Sequence, residues 1–239
     1  MTRGTVVFLP GLMCDRAVWE AQIARLSHQH DCLVVDYGEA DSLTAMARRV
    51  LECAPGRFSL AGHSMGGRVA LEVMRAAPQR VTGLALLDTG YQARPAGPVG
   101  EAEAAKRHHL LEIASSLGMR AMGREWVQGM VHPGRLTDAP LIESILAMIE
   151  RRTPEVFAAQ IRALLDRPSA ESVLSSIRCP TRVLCGRQDG WSPLARHEAM
   201  ARIIPGARLE VIEDSGHMVT LEQPEKVSAA LAGWLGELE

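Results

Sequence analysis

Apolar residues fall by turns into short continuous runs and into stripes with a period near 3.6, and this alternation organises most of the chain. Thr5-Val6-Val7-Phe8-Leu9 is a β-branched apolar run stopped by Pro10-Gly11, which predicts a strand ending in a turn. Ala17–Ser27 sets Val18, Trp19, Ile23 and Leu26 near one face and predicts a helix. Cys32-Leu33-Val34-Val35 predicts a second strand, and Ser42 suits the N-cap of a helix through Cys53 with Leu43, Met46, Ala47 and Val50 as its buried stripe. Phe58 and Leu60 mark a third strand, which turns directly into a helix carrying Val69, Ala70, Val73, Met74 and Ala77 and ended by Pro78. Val81–Leu87, nearly continuous in apolar residues, predicts a strand covered on both faces. Further strands are predicted at Arg182–Cys185 and Leu209–Ile212, with a helix from about Pro193 to Ile204 between them and a closing helix after Pro224. Such alternation implies an α/β fold with a mainly parallel sheet.

One segment departs from it. Between Tyr91 and Arg167 the pattern is helical only, around Ala102–Leu117, Arg120–Met130, Leu141–Arg151 and Glu155–Leu165. The segment is too long for a plain loop. The expected organisation is therefore a core of residues 1–90 and 168–239 with a helical cap, 91–167, inserted over the strand ends where ligands bind in open α/β sheets.

At 239 residues, 47% hydrophobic and 23% charged, the chain suits one large α/β domain. A net charge of −2 provides no general attraction to nucleic acid or to an anionic membrane, and neither is expected as a partner. Five cysteines without a C-x-x-C pair suggest free thiols rather than disulfides or a thiolate zinc site. The first residues lack the long apolar region of a signal peptide, and no run approaches the ~20 apolar residues of a membrane span, so a cytoplasmic enzyme is the expectation. The pattern does not speak to oligomeric state.

The chemistry concentrates where the third strand meets its helix. Gly62-His63-Ser64-Met65-Gly66 fits G-x-S-x-G, in which a serine on a sharp strand-to-helix turn has its hydroxyl pushed clear of the backbone. Ser64 is the candidate nucleophile. A serine needs an imidazole to take its proton and a carboxylate to fix that imidazole's tautomer. His217, in the loop Asp214-Ser215-Gly216-His217 after the last strand, is the candidate base. For the acid, Asp189 in Gly186-Arg187-Gln188-Asp189-Gly190 is favoured over Asp88, which also follows a strand, because a Gly- and Pro-rich turn displays a carboxylate well. Asp214 is assigned to holding its own loop. The backbone amides of Met65 and Leu12 are the candidate oxyanion donors.

Other tempting residues take plainer readings. His63 suits a packed neighbour, His108-His109 a solvated helix face and Cys14 a small buried residue. Met119, Met122, Met130 and Met148 fit a pocket lining or a cap core equally well. His197 and Glu198, adjacent on one helix, point apart and suggest no metal site.

With these residues in place, the chain resembles the α/β-hydrolase superfamily over almost its whole length. Leu9-Pro10-Gly11-Leu12 resembles the oxyanion loop, Gly62–Gly66 the serine elbow, Gly186–Asp189 the acid turn and Asp214–His217 the histidine loop. Many members carry His where Pro10 stands. The chain opens almost directly on the strand that usually comes third, which implies a trimmed sheet of about six strands under a helical cap. The resemblance implies a serine hydrolase that cleaves carboxylic esters of small or medium apolar substrates through an acyl-enzyme, with no cofactor and no metal. Thioesterase action on acyl-CoA or acyl-carrier substrates and C–C bond hydrolysis share the machinery, and a noncatalytic ligand-binding fold is the contrasting class.

Overall fold

The computed structural model describes residues 3–238. Strands β1 (Thr5–Leu9), β2 (Asp31–Val34), β3 (Phe58–His63), β4 (Val81–Leu87), β5 (Thr181–Gly186) and β6 (Arg208–Ile212) form one sheet in the order β2-β1-β3-β4-β5-β6. Every neighbouring pair is parallel. The apolar runs explain the burial: β3 is buried throughout and β1 and β4 nearly so, whereas the two edge strands are partly exposed. From β1 the chain steps one way to β2 and then returns to build outward from β3 on the other side. The switch point, where loops diverge and leave a crevice, thus lies at the carboxyl ends of β1 and β3.

Helices α1 (Glu20–Leu26), α2 (Leu43–Cys53) and α3 (Met65–Ala76) follow the first three strands. Between β4 and β5 come α4 (Pro98–Leu117), α5 (Met119–Trp126), α6 (Ala139–Glu150) and α7 (Pro154–Leu165). Then α8 (Glu171–Ser176) precedes β5, α9 (Leu194–Ile203) joins β5 to β6, and α10 (Val219–Glu222) and α11 (Pro224–Gly236) close the chain. No helix among the described residues is long and apolar enough to cross a membrane.

Local chemistry shifts several boundaries. The helix predicted over Ala17–Ser27 divides, because the Asp15 carboxylate accepts the Ala17 N–H at 2.8 Å and caps a 3-10 turn, Arg16–Trp19, before α1 begins. Helix α4 starts earlier than its apolar pattern because Pro98 occupies the first turn, where a missing N–H costs nothing. The short α8 and α10 have too few residues to display a period and were not predicted.

Candidate active site

At the end of β3 the backbone takes a conformation that few L-residues adopt. Ser64 has φ 54° and ψ −117°, a strained region costing ~1–3 kcal/mol that persists only where its surroundings over-determine it. Those surroundings are explicit. The Ser64 N–H donates to the Leu87 carbonyl at 2.8 Å, and the Thr89 hydroxyl donates to the Ser64 carbonyl at 2.6 Å. A Cβ on Gly66 would lie 2.0 Å from the Leu9 carbonyl oxygen, so a glycine there lets α3 cross β1 at this angle. Although Ser64 stands at the N-cap of α3, its side chain caps nothing, and the hydroxyl is left for another partner.

That partner is His217. Its Nε2 lies 2.7 Å from Ser64 Oγ, and its Nδ1 lies 2.8 Å from Asp189 Oδ2. With Nδ1–H donating to the carboxylate, Nε2 is left to accept the serine proton. The second carboxylate oxygen of Asp189 accepts the N–H groups of Trp191 and Ser192, each at 2.8 Å. Burial alone would raise the Asp189 pKa, but the His217 charge and hydrogen bond and these two amides outweigh it and hold the group below the ordinary aspartate value. The two loops meet because Gly186 has no side chain: a Cβ there would stand 2.1 Å from the Gly216 carbonyl oxygen.

Asp88, the other candidate acid, goes elsewhere. Its Oδ1 accepts the Gly186 N–H at 2.8 Å, and its Oδ2 is 3.9 Å from His63 Nε2. Complete burial and the nearby Asp189 charge push its pKa well above the ordinary aspartate value, the opposite direction to Asp189.

The histidine loop is held from three directions, none of them visible in the motif. The His217 N–H donates to the Met130 carbonyl at 2.8 Å. The buried Glu222 carboxylate accepts from the N–H groups of Gly216 at 2.9 Å and His132 at 2.7 Å. His63 Nε2–H donates to the His217 carbonyl at 2.8 Å; burial, then the His217 charge, lowers the His63 pKa to about 3, so the ring is neutral. His63 is thus the packed neighbour its motif position suggested.

On the β1 side, Pro10-Gly11-Leu12 faces the elbow, and a Cβ on Gly11 would lie 3.2 Å from Ser64 Cβ. This loop is fixed from outside: the Tyr37 hydroxyl donates to the Pro10 carbonyl at 3.1 Å, and the Met13 N–H donates to Gln160 Oε1 at 2.8 Å. Met65 begins α3, where backbone N–H groups have no helical acceptor and the dipole is positive. Leu12, Ser64, Met65 and His217 all border one cavity of about 820 Å³, walled further by Trp126, Met130, Leu164 and Trp191.

The remaining candidates separate clearly. Met122 and Met148 are core and Met130 lines the cavity. His109 pairs on the surface with Glu125 at 3.0 Å. Cys14 is buried, which raises its thiol pKa to about 12. Asp214 takes φ 58°, and its carbonyl accepts from Gln223 at 2.9 Å. Asp88, Cys185 and His197 bring potential metal-ligand atoms within 4.8 Å of one another. Of the three, His197 has both ring nitrogens engaged: Nε2 accepts the Thr89 N–H at 2.9 Å, and Nδ1–H donates to the Pro193 carbonyl at 3.3 Å. His197 thus supports Thr89, and through it the elbow.

An elbow serine at the switch point of a parallel sheet, beside a histidine and a buried carboxylate, defines a class. The chain belongs to the alpha/beta hydrolase family, which matches residues 6–230. It is 27% identical over 229 residues to the dihydrolipoyllysine-residue acetyltransferase component of an acetoin cleaving system from Pseudomonas putida, covering 95% of this chain but only 58% of the relative's length. It is 28% identical over 191 residues to a pimeloyl-[acyl-carrier protein] methyl ester esterase from Aromatoleum aromaticum, covering 77% of this chain and 76% of that protein. Among solved structures, a thermophilic esterase from Thermogutta terrifontis, with malate bound, superposes with a TM-score of 0.85 at 31% identity, covering 99% of this chain and 92% of that one.

Proposed function

We propose that this chain is a serine hydrolase of carboxylic esters, with Ser64 as nucleophile, His217 as general base and acid, Asp189 as the carboxylate that orients His217, and the Leu12 and Met65 amides as oxyanion donors. The observation that carries the reading is the hydrogen-bonded relay from Ser64 Oγ through His217 to Asp189, at 2.7 Å and 2.8 Å. Its similarity to two esterases adds support.

In this reading Ser64 Oγ attacks the ester carbonyl while His217 Nε2 takes its proton. The negative charge gathering on the carbonyl oxygen meets amides already oriented toward it, at a helix N-terminus whose dipole has the favourable sign. Collapse of the tetrahedral intermediate expels the alkoxide, which receives the proton from His217, leaving Ser64 acylated. Water then gives a proton to His217 and attacks the acyl carbon, and the proton returns to Ser64 as the acid leaves.

Labelling with a fluorophosphonate, followed by peptide mass spectrometry, tests the assignment. The adduct is expected on Ser64, and Ser64→Ala should abolish labelling and lower ester turnover by several orders of magnitude while keeping the wild-type circular dichroism. Wild-type turnover by Ser64→Ala would overturn it.

A further inference from the structure

The cavity above Ser64 has an uneven charge. Arg68, Lys106, Arg107, Arg167 and Arg196 border it, and against these five cations stand Glu103 on its wall and Asp189 behind His217; Asp88, also on the wall, is turned to the Gly186 N–H and toward His63. Glu103 is already committed. Arg167 grips its two oxygens at 2.7 Å each, and Arg107 adds bonds of 3.1 Å and 3.0 Å to one of them. Asp189 is occupied by His217 and two amides. No carboxylate remains for Arg68 or Arg196.

Both hold only backbone carbonyls. Arg68 Nη1 donates to Gln92 at 2.9 Å, and Arg196 Nη1 donates to Trp191 at 3.3 Å. They converge across Gly90: a Cβ built there would lie 2.7 Å from Arg68 Nη2 and 3.3 Å from Arg196 Nη1. Arg68 is one turn of α3 beyond Ser64, and Arg196 lies on α9 beyond the acid turn. Two guanidinium groups are therefore brought to one point of a half-buried wall with no carboxylate bonded to either among the described residues, Glu103 acting on Arg68 only at a distance. Burial, followed by the charges of Arg167, Arg196 and Arg107, outweighs the opposing charge of Glu103 and lowers the Arg68 pKa to about 9, which leaves the cation in place at neutral pH.

Such an arrangement is costly unless an anion completes it, and the planar fork of arginine matches a carboxylate with two parallel hydrogen bonds. Resting on the assignment of Ser64 as nucleophile, we infer that the substrate is an ester bearing a second, free carboxylate, which Arg68 and Arg196 bind while Ser64 attacks the ester carbonyl. The apolar wall of Trp126, Met130 and Leu164 then receives the chain between the two groups, and the substrate is amphipathic rather than simply apolar.

The test compares monomethyl with dimethyl esters of succinate, glutarate and adipate, with acetoxyacetate placing the free carboxylate on the alcohol side instead. For one of these arms the free-carboxylate ester should exceed its neutral partner at least tenfold in kcat/KM, chiefly through KM, with the advantage shrinking in high salt. Arg68→Gln and Arg196→Gln should each reduce that ratio severalfold and together bring it near one, whereas Arg208→Gln at the far edge of the sheet should not change it. A ratio of one or less in wild type, or Arg variants that slow neutral and anionic esters equally, would overturn the inference. Preference for a phosphate-bearing ester without preference for a carboxylate would also overturn it. If Ser64 takes the fluorophosphonate and the dimethyl esters are cleaved, a ratio of one rejects the carboxylate site alone; if neither occurs, the nucleophile assignment fails. Calorimetric binding of glutarate to the Ser64→Ala protein reads the carboxylate site independently of turnover. Binding should weaken at least tenfold when Arg68→Gln is added, and an unchanged affinity would reject the site.

Discussion

Two aspartates at neighbouring strand ends have pKa values displaced in opposite directions by what surrounds them. Asp189 receives one N–H from His217 and two from the backbone, whereas Asp88 receives one amide, lies completely buried and feels the Asp189 charge. Asparagine imitates a protonated aspartate but not an ionised one. Asp189→Asn should therefore favour the wrong His217 tautomer and cost ~10⁴-fold in kcat, in line with the loss when a triad carboxylate is amidated. Asp88→Asn should stay within a few-fold of wild type. Steady-state kinetics of the two variants on one ester checks this, and the reverse ranking would move the acid to Asp88. Ser64, Asp189, His217 and Leu12 were legible in the sequence because each sits in a short motif of glycines and strand ends. Arg68 was not, since an arginine on a helix reads as a solvated face until the wall opposite it is known.

The loops that matter here are positioned by residues outside their own motifs, some of them far away in the chain. The Met13 N–H, beside the proposed oxyanion donor Leu12, bonds to Gln160 on α7, 147 positions away. The histidine loop bonds to the Met130 carbonyl and to Glu222 on α10. Periodicity reveals which residues share a face of a helix, but not which buried glutamine meets which loop, so the strands and longer helices could be read in advance and these supports could not. Gln160→Leu would leave the Met13 amide buried without an acceptor, at a cost of ~1–3 kcal/mol. It should also loosen the oxyanion loop, and a displacement near 1 Å at a reacting centre can cost about 10²-fold in rate. Gln160→Glu keeps an acceptor oxygen and should recover much of kcat. Measuring kcat and Tm for both variants distinguishes the support from mere packing: equal losses in the two would count against it.

One apolar cluster runs from the sheet residues Val7, Phe8 and Leu60 through Met130 to Met122 and Ile145 of the intervening helices, so the helices between β4 and β5 share their core with the sheet. Ion pairs also tie them to the sheet side: Arg162 to Asp41 is exposed and contributes little, while Arg151 to Asp15 and Arg152 to Asp36 are each half-buried on one partner. Groups buried beneath the site contribute to the pH dependence of stability beside the lowered carboxylates of Glu103 and Asp189. Burial lowers His63 to about 3 and His197 to about 4, against 6.5 for an ordinary histidine. Between those values and 6.5 the unfolded chain holds more protons than the folded one, so each histidine makes stability fall as the pH falls, by up to ~1.4 kcal/mol per pH unit. Asp88 has the opposite sign, because its raised pKa keeps a proton in the folded state that the unfolded chain releases above the ordinary aspartate value, and the raised Glu222 acts likewise. The difference between variants isolates one contribution from the rest. His63→Gln retains a donor for the His217 carbonyl but cannot be protonated, so its stability should decline less steeply than wild type between about pH 6 and pH 4, by up to ~1.4 kcal/mol per unit. Asp88→Asn removes an opposing contribution and should decline more steeply. Urea unfolding at half-unit pH intervals measures both slopes, and curves for His63→Gln and wild type that run parallel throughout that window would show that this ring is not held neutral by the fold.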